Sequence, residues 1–218
     1  MKGFCIVLPA LLLTLSACKG KQPDVRTAEP DKGQAGEGEG AKKPAQESGK
    51  KVLMIIACDE FRDEELAEPK KIFLDAGMSV TVASDRKEGC TGMLGGKAGV
   101  DMLLGEARAA DYDAVVFVGG AGAKVLFDSA DAHKIAKGAA EGGKVLGAIC
   151  IAPSILARAG LLKGRNATVF EGDEFVGILK SGGAAYSEDS VVVDGNIVTA
   201  NGPPAARAFG EKIAELLK

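Results

Sequence analysis

Residues 144–153, Lys-Val-Leu-Gly-Ala-Ile-Cys-Ile-Ala-Pro, indicate the fold of this chain more directly than any other stretch. An apolar run rich in β-branched residues ends at Cys150 and predicts a buried strand, and residues 151–158 follow with a helical pattern. This order predicts a nucleophile elbow, in which a sharp turn lifts Cys150 above the sheet edge. The positive end of the helix dipole there favours the thiolate over the thiol. The alternative at this point is that Cys150 is only a small buried hydrophobic residue.

The rest of residues 50–218 alternates between strand and helix patterns. Such alternation predicts a single α/β domain with a doubly wound, mainly parallel sheet between two helical layers, an α/β/α sandwich. Strands are predicted at residues 51–57, 79–84, 114–118 and 144–149, a hairpin with an Asp-Gly turn at 191–200, and helices at 63–76, 128–140 and 203–218.

Three of the predicted parallel strands end in residues that suit a binding crevice. Ligands of such sheets bind at the carboxyl ends of the strands, where Cys58, Gly119-Gly120 and Cys150 all lie. Glycine at 119 and 120 lets backbone amides come close to a ligand. Together with the amide of Ile151, they are candidates for an oxyanion hole.

The amino terminus has the pattern of a targeting segment. Lys2 is followed by an apolar run over residues 5–15, too short to span a bilayer, which takes ~20 residues. Leu15-Ser16-Ala17-Cys18 resembles the lipobox of bacterial lipoproteins, which predicts a signal peptide over 1–17 and a lipid anchor on Cys18. The alternative is an ordinary secretory signal. In lipoproteins of Gram-negative bacteria, a lysine in the place of Lys19 indicates the outer membrane, so the predicted location is the cell envelope, facing the periplasm.

Residues 18–49 have the composition of a solvated tether. They are rich in Lys, Glu, Gly, Pro and Gln, which cannot bury enough apolar surface to fold, so we predict disorder. The net charge of the whole chain is −3, and no basic face is apparent. Nucleic acid is therefore not an expected partner.

The folded part resembles the DJ-1/PfpI family, whose flavodoxin-like fold is related to class I glutamine amidotransferases. The resemblance runs in order over residues 51–218 and is specific as a set. The matching segments are Val52–Ala57, Glu60–Leu66 with Pro69, Val118–Gly120, Ala148–Pro153, Val192–Thr199 and Asn201–Pro203.

The resemblance implies roles for four residues. Cys150 falls on the reactive cysteine of the family, and Glu65 on the glutamate that hydrogen-bonds it. Gly120 and Ile151 fall on the positions whose amides face the sulfur. Two adjacent anions cannot both ionise cheaply, so we expect the pair to share a proton, which Glu65 donates to a thiolate of lowered pKa. Glu64, one residue earlier, is the alternative to Glu65.

Departures from the family pattern weaken a peptidase function. Ile151 stands where peptidase-like members have a histidine, and Phe170 where DJ-1-like members have a further one. The single histidine, His133, lies in a predicted surface helix. Without a Cys-His dyad, peptide hydrolysis lacks its usual proton carrier. Arg62 stands where members of the family have an acidic residue. It is either a contact for an anion or an ordinary surface charge.

No disulfide is expected between Cys58 and Cys150, and at least one of the three cysteines of the folded part is expected to be unpaired. In a flavodoxin-like strand order, one strand lies between the strands that end near Cys58 and Cys150. The two strand spacings add up to ~9–10 Å, which exceeds the distance between the Cα atoms of a disulfide. Cys90 is expected to pair across a dimer or to stay free. No cysteine pair has the spacing of zinc ligands, so we expect neither a metal nor a cofactor.

Four functions remain compatible with these residues, one of them a binding module that keeps the fold without the chemistry. The first is glyoxalase-type or deglycase-type chemistry on small aldehydes, as a lyase or hydrolase. The second is a redox-sensing or protective protein that works through oxidation of Cys150. The third, a cysteine hydrolase, is disfavoured. The expected partners are a small carbonyl compound or oxidant and, as the resemblance implies, a second copy of the chain. Whether a partner subunit contributes a basic residue to the site around Cys150 is open, and Lys97 is the candidate for that residue.

Overall fold

A computed structural model of the protein describes residues 49–218. Within this range the chain forms a seven-stranded sheet, two short two-stranded sheets and helices. The strands are β1 (Lys51–Ile56), β2 (Asp59–Phe61), β3 (Ser79–Ser84), β4 (Thr91–Gly92), β5 (Met102–Leu103), β6 (Ala114–Phe117), β7 (Val145–Ile149), β8 (Asn166–Ala167), β9 (Ala185–Tyr186), β10 (Val191–Asp194) and β11 (Ile197–Ala200). The α-helices are α1 (Asp63–Asp75), α2 (Ala130–Glu141), α3 (Pro153–Arg158), α4 (Asp173–Ser181) and α5 (Ala206–Leu216), with 3₁₀ turns at Leu104–Glu106, Ala109–Asp111, Ala121–Leu126 and Pro203–Ala205.

The main sheet has the order β10-β11-β7-β6-β1-β3-β5, and every pair is parallel except the hairpin β10–β11. Helices α1 and α5 pack together on the sheet, while α2, α3 and α4 form the other layer. The central strands are apolar along their length because both faces are covered. Gly147 lets α5 approach β7 closely, since a Cβ there would lie 2.6 Å from Ile213. The predicted flavodoxin-like α/β sandwich is confirmed.

The predicted element positions match the structure closely where the sequence pattern is strong. The strand over 79–84 is reproduced, and the other predicted strands and the first two predicted helices differ by one or two residues at an end. The last helix begins at Ala206 rather than at residue 203, because Pro203–Ala205 forms a 3₁₀ turn first. Helix α4 was not predicted.

The expectation for Cys90 was wrong. A disulfide joins Cys58 to Cys90 across 32 residues of sequence, with the two Cα atoms 4.3 Å apart. The chain after β3 folds back so that β4 pairs with β2, and the Thr91 amide donates to the Cys58 carbonyl at 2.8 Å. This return brings Cys90 beside Cys58, and both cysteines are buried. Because β6 lies between β1 and β7, Cys150 is not bridged to Cys58, as predicted.

The predictions for the amino terminus fall on residues that the structure does not describe. The signal peptide over 1–17, the lipid anchor on Cys18 and all of the tether except Gly49 lie outside the described range. Among residues 49–218, no helix has the length and apolar character needed to cross a bilayer.

We predict that the Cys58–Cys90 disulfide contributes substantially to stability, because it closes a loop of about 30 residues in the unfolded chain. Replacing both cysteines by alanine is expected to lower the free energy of unfolding by ~2–4 kcal/mol. Thermal unfolding with and without a reductant checks this. Reductant should lower the melting temperature of the wild type but not that of the double variant, and equal responses in both would contradict the prediction.

Candidate active site

Cys150 occupies a sharp turn at the carboxyl end of β7. Its backbone φ is +62°, in the left-handed region that non-glycine residues rarely adopt. Two backbone hydrogen bonds hold this conformation, from the Cys150 amide to the Ala200 carbonyl and from the Phe170 amide to the Cys150 carbonyl, both at 2.8 Å. Such strain costs ~1–3 kcal/mol and persists only where the surroundings enforce it. The predicted nucleophile elbow is therefore present, and its side chain is 7% exposed.

Glu65 lies against Cys150 from the first turn of α1 and is fully buried. Its Oε2 accepts a hydrogen bond from the Gly119 amide at 3.0 Å. Its carboxyl lies close enough to the Cys150 side chain for each group to shift the pKa of the other. Oε1 has no hydrogen-bond partner among the described residues. Glu64 points elsewhere and pairs with Arg62, so the structure places Glu65 and not Glu64 at the cysteine.

Gly119 and Gly120, which follow β6, have different structural roles. A Cβ on Gly119 would lie 2.6 Å from the Cβ of Cys150 and 2.7 Å from Oε2 of Glu65, so only glycine lets these groups meet. The Gly119 amide is engaged by Glu65 and is not available to a ligand, unlike the oxyanion role expected from the sequence. The amides of Gly120 and Ile151 lie near the sulfur of Cys150 and favour its thiolate. Gly120 has a φ of +99°, which favours glycine.

Burial makes Glu65 and Cys150 resist ionisation. Desolvation raises the pKa of Glu65 to about 7, although the bonds from Cys150 and Gly119 oppose the shift. Desolvation and the neighbouring Glu65 carboxylate raise the pKa of Cys150 to about 12, against the opposing effect of the two amides. The lowered thiol pKa expected from the sequence is therefore wrong, because burial outweighs the donors. The pair therefore holds two protons below about pH 7 and one proton above it, and a thiolate forms when the remaining proton lies on Glu65.

A small pocket of about 280 Å³ lies over the sulfur. Its walls are mostly apolar and aromatic, and its charged lining residues are Arg62 and Lys124. Phe170, 42% exposed, and Phe175 meet edge to face at 6.2 Å and form one wall. Met93 forms another wall, anchored by its amide on the Phe61 carbonyl at 2.9 Å. The pocket suits a ligand of a few heavy atoms, since drug-sized pockets start at ~300 Å³.

Several residues considered in the sequence analysis lie elsewhere. Lys97 donates to the Thr91 hydroxyl at 2.6 Å and does not line the pocket. His133 is on α2, with its ring nitrogen 2.7 Å from the Phe127 carbonyl. Among residues 49–218, no group of three or more His, Cys, Asp or Glu side chains is arranged to hold a metal ion. Met93, Lys124 and Phe175 were missed because no local pattern marks them as neighbours of Cys150.

Comparison with known proteins identifies the family. Residues 50–216 match the DJ-1/PfpI family, and the chain belongs to it. The uncharacterized protein MJ0967 of Methanocaldococcus jannaschii is 44% identical over 77% of this chain and 82% of its own length. The deglycase TK1284 of Thermococcus kodakarensis is 34% identical over 76% of this chain and 99% of its own. The crystal structure of a ThiJ/PfpI domain protein from Brachyspira murdochii, 37% identical, superposes with a TM-score of 0.74 and covers 78% of this chain and 98% of that one.

We predict a two-step pH profile for the reaction of Cys150 with iodoacetamide. The rate should rise through about pH 7, where the pair loses its first proton, and again towards pH 12, where it loses the second. In Glu65→Gln the lower step should vanish, because the titrating acid is gone. The rate is read on the Cys150 peptide by mass spectrometry from pH 5 to 11, with Cys150→Ser as the blank. Superimposable profiles for the wild type and Glu65→Gln would refute the shared proton.

Proposed function

We propose that this protein acts on small aldehydes, in a reaction of glyoxalase or deglycase type, with Cys150 as the nucleophile. The observation that carries the proposal is that Cys150 lines a small pocket while the buried carboxyl of Glu65 lies close behind it, so that the pair retains a proton at neutral pH. Relatives named as deglycases, such as the one from Thermococcus kodakarensis, support the proposal.

The first step uses the shared proton. The sulfur of Cys150 forms a bond to the aldehyde carbon, the π electrons of the carbonyl move to its oxygen, and that oxygen takes the proton from Glu65. The product is a hemithioacetal beside a Glu65 carboxylate. The amides of Gly120 and Ile151 favour the thiolate from which the attack starts.

The second step applies to 2-oxoaldehydes. The Glu65 carboxylate removes the proton from the carbon that bears sulfur and returns it to the neighbouring carbon, while the hydroxyl proton moves to the neighbouring carbonyl oxygen, which gives a thioester of a 2-hydroxy acid. Water then hydrolyses the thioester and releases the thiol and the acid. The balance is one aldehyde plus one water to one 2-hydroxy acid, without an external oxidant or cofactor.

Reversible oxidation of Cys150 is the second candidate function. A thiolate attacks hydrogen peroxide and takes one oxygen, the O–O bond breaks, and with the proton held by Glu65 the products are the sulfenic acid and water; a second peroxide gives the sulfinic acid. The donors around the sulfur favour this candidate, because the Glu65 carboxyl and the amides of Gly120 and Ile151 can bind the oxygens of a sulfinate. Peptide hydrolysis is disfavoured, since Ile151 follows the cysteine and His133 is bonded to Phe127.

A location at the cell envelope belongs to the same proposal. The lipobox-like residues 15–18 and the predicted lipid on Cys18 support it. The buried Cys58–Cys90 disulfide supports it independently, because disulfides persist in oxidising compartments and are rare in the cytosol. Pairing of the chain into a homodimer, common in the family, remains part of the proposal.

Methylglyoxal turnover tests the proposal. The wild-type protein should consume methylglyoxal and release lactate, while Cys150→Ser should fall to the uncatalysed background because no sulfur can add to the aldehyde. Glu65→Gln should also lose turnover, since the proton carrier is gone. Absence of lactate from the wild type would reject the enzyme, and ready oxidation of Cys150 by dilute hydrogen peroxide would then favour the sensor.

A further inference from the structure

The charge around the Cys150 pocket is one-sided. The lining residues in the described part of the chain include two cations, Arg62 and Lys124, and no acidic side chain. The Glu65 carboxyl lies beneath the sulfur and is fully buried. A ligand in the pocket therefore meets positive charge at the rim, while the other walls are apolar.

Both cations keep donors for a ligand. A guanidinium has five N–H donors, and Arg62 uses Nε and Nη2 on the two Glu64 oxygens, at 2.8 and 3.0 Å. Lys124 lies over the Phe175 ring at 5.2 Å and bonds both oxygens of Glu174, at 3.0 and 2.9 Å. The two partner acids are 38% and 56% exposed and do not line the pocket. Exposed ion pairs of this kind contribute little, so a ligand carboxylate can share or replace them.

Arg62 is also close enough to the reacting atoms to matter. Its charge interacts with both Glu65 and Cys150, which help to raise the pKa of Arg62 after the larger effect of its bond to Glu64. A carboxylate attached to the carbon under attack by the sulfur would share the pocket with the guanidinium, since Arg62 and Cys150 both line it. Opposite charges at ~4 Å attract by ~1 kcal/mol even in water, and more strongly in a partly closed pocket.

We propose that Arg62, assisted by Lys124, makes this pocket select carbonyl compounds that carry a carboxylate on or beside the reacting carbon, of which glyoxylate is the smallest. The inference rests on the proposed function, in which the sulfur of Cys150 adds to a carbonyl group. In that step the sulfur bonds to the aldehyde carbon and the carbonyl oxygen takes the proton from Glu65, so the carboxylate stays unchanged and bound to Arg62.

Two alkylating reagents that differ only in charge test the selection without any turnover. Iodoacetate and iodoacetamide both form a bond from carbon to the sulfur and release iodide, but only iodoacetate carries a carboxylate. Both reagents react with the thiolate of Cys150, so the ratio of their rates does not depend on how much thiolate is present. In the wild type the ratio should exceed that of a free model thiol by about fivefold or more, as one close opposite charge implies.

Matched variants identify the charge responsible. Arg62→Gln should lower the ratio by about fivefold, and Lys124→Gln by less. Glu64→Gln should raise it, because the guanidinium loses its competing partner. Arg207→Gln is the control, since Arg207 is an exposed residue of α5 that pairs with Glu211 and does not line the pocket, so the ratio should stay unchanged. A ratio that does not respond to Arg62→Gln, or that falls equally in Glu64→Gln, overturns the proposal, because the ion pair would then be merely structural.

A binding measurement decides the case if neither reagent modifies Cys150. In the Cys150→Ser protein, ligand-observed NMR should show binding of glyoxylate but not of the neutral glycolaldehyde at equal concentration. The double variant Cys150→Ser with Arg62→Gln should not distinguish the two compounds. Equal binding of the two compounds overturns the proposal. Failure of methylglyoxal turnover would instead count against the proposed function, and it would leave the charge preference measurable by both methods.

Discussion

The burial of two ionisable groups against each other is the constraint on which the site depends. Water would solvate a carboxylate and a thiolate separately, but in the crevice at the end of β7 neither group has that option. Glu65 is fully buried and Cys150 nearly so, which is why the pKa of each is raised and why the pair retains a proton at neutral pH. The same proton supplies what carbonyl addition needs, an acid beside a nucleophile.

The fold around the pair is arranged to enforce this contact. The strained turn at Cys150 is fixed by β11 and by the chain before α4, the missing side chain at Gly119 leaves room, and α1 starts at the point that brings Glu65 inward. The arrangement has a cost in stability. The pKa of Glu65 is about 7 in the folded protein and ordinarily 4.5. The stability of the fold that depends on a protonated Glu65 is therefore fully present below pH 4.5 and is lost as the pH rises through about 7. Catalytic sites are commonly destabilising in this way.

The disulfide and the pocket wall belong to the same region. Cys90 is joined to the end of β1, and the chain that follows is held to α1 by Asp63, whose carboxylate accepts from the amides of Leu94 and Gly96, both at 2.8 Å. This attachment presents Met93 to the pocket. The wall formed by Met93 is thus fixed by one covalent bond and several hydrogen bonds, although nothing in its own sequence has the pattern of a long strand or helix.

The sequence predicts the framework of this molecule better than its details. Buried strands and the elbow at Cys150 have strong local patterns, and the place of Glu65 follows from its distance to Pro69 and the family resemblance. The Cys58–Cys90 bond could not be predicted, because it depends on the pairing of β2 with β4, which are only three and two residues long. Helix α4 is short and contains Gly177, which weakens its pattern. The raised pKa of Cys150 comes from burial, which no spacing of residues reveals.

A titration of the Glu65 side chain tests the shared proton most directly. The carboxyl carbon of Glu65, labelled with ¹³C and followed by NMR from pH 3 to 10, is predicted to titrate with a midpoint of about 7. A midpoint near the ordinary value of 4.5 would mean that the carboxyl is solvated and ionised independently of Cys150. That result would contradict a proton shared between Glu65 and Cys150.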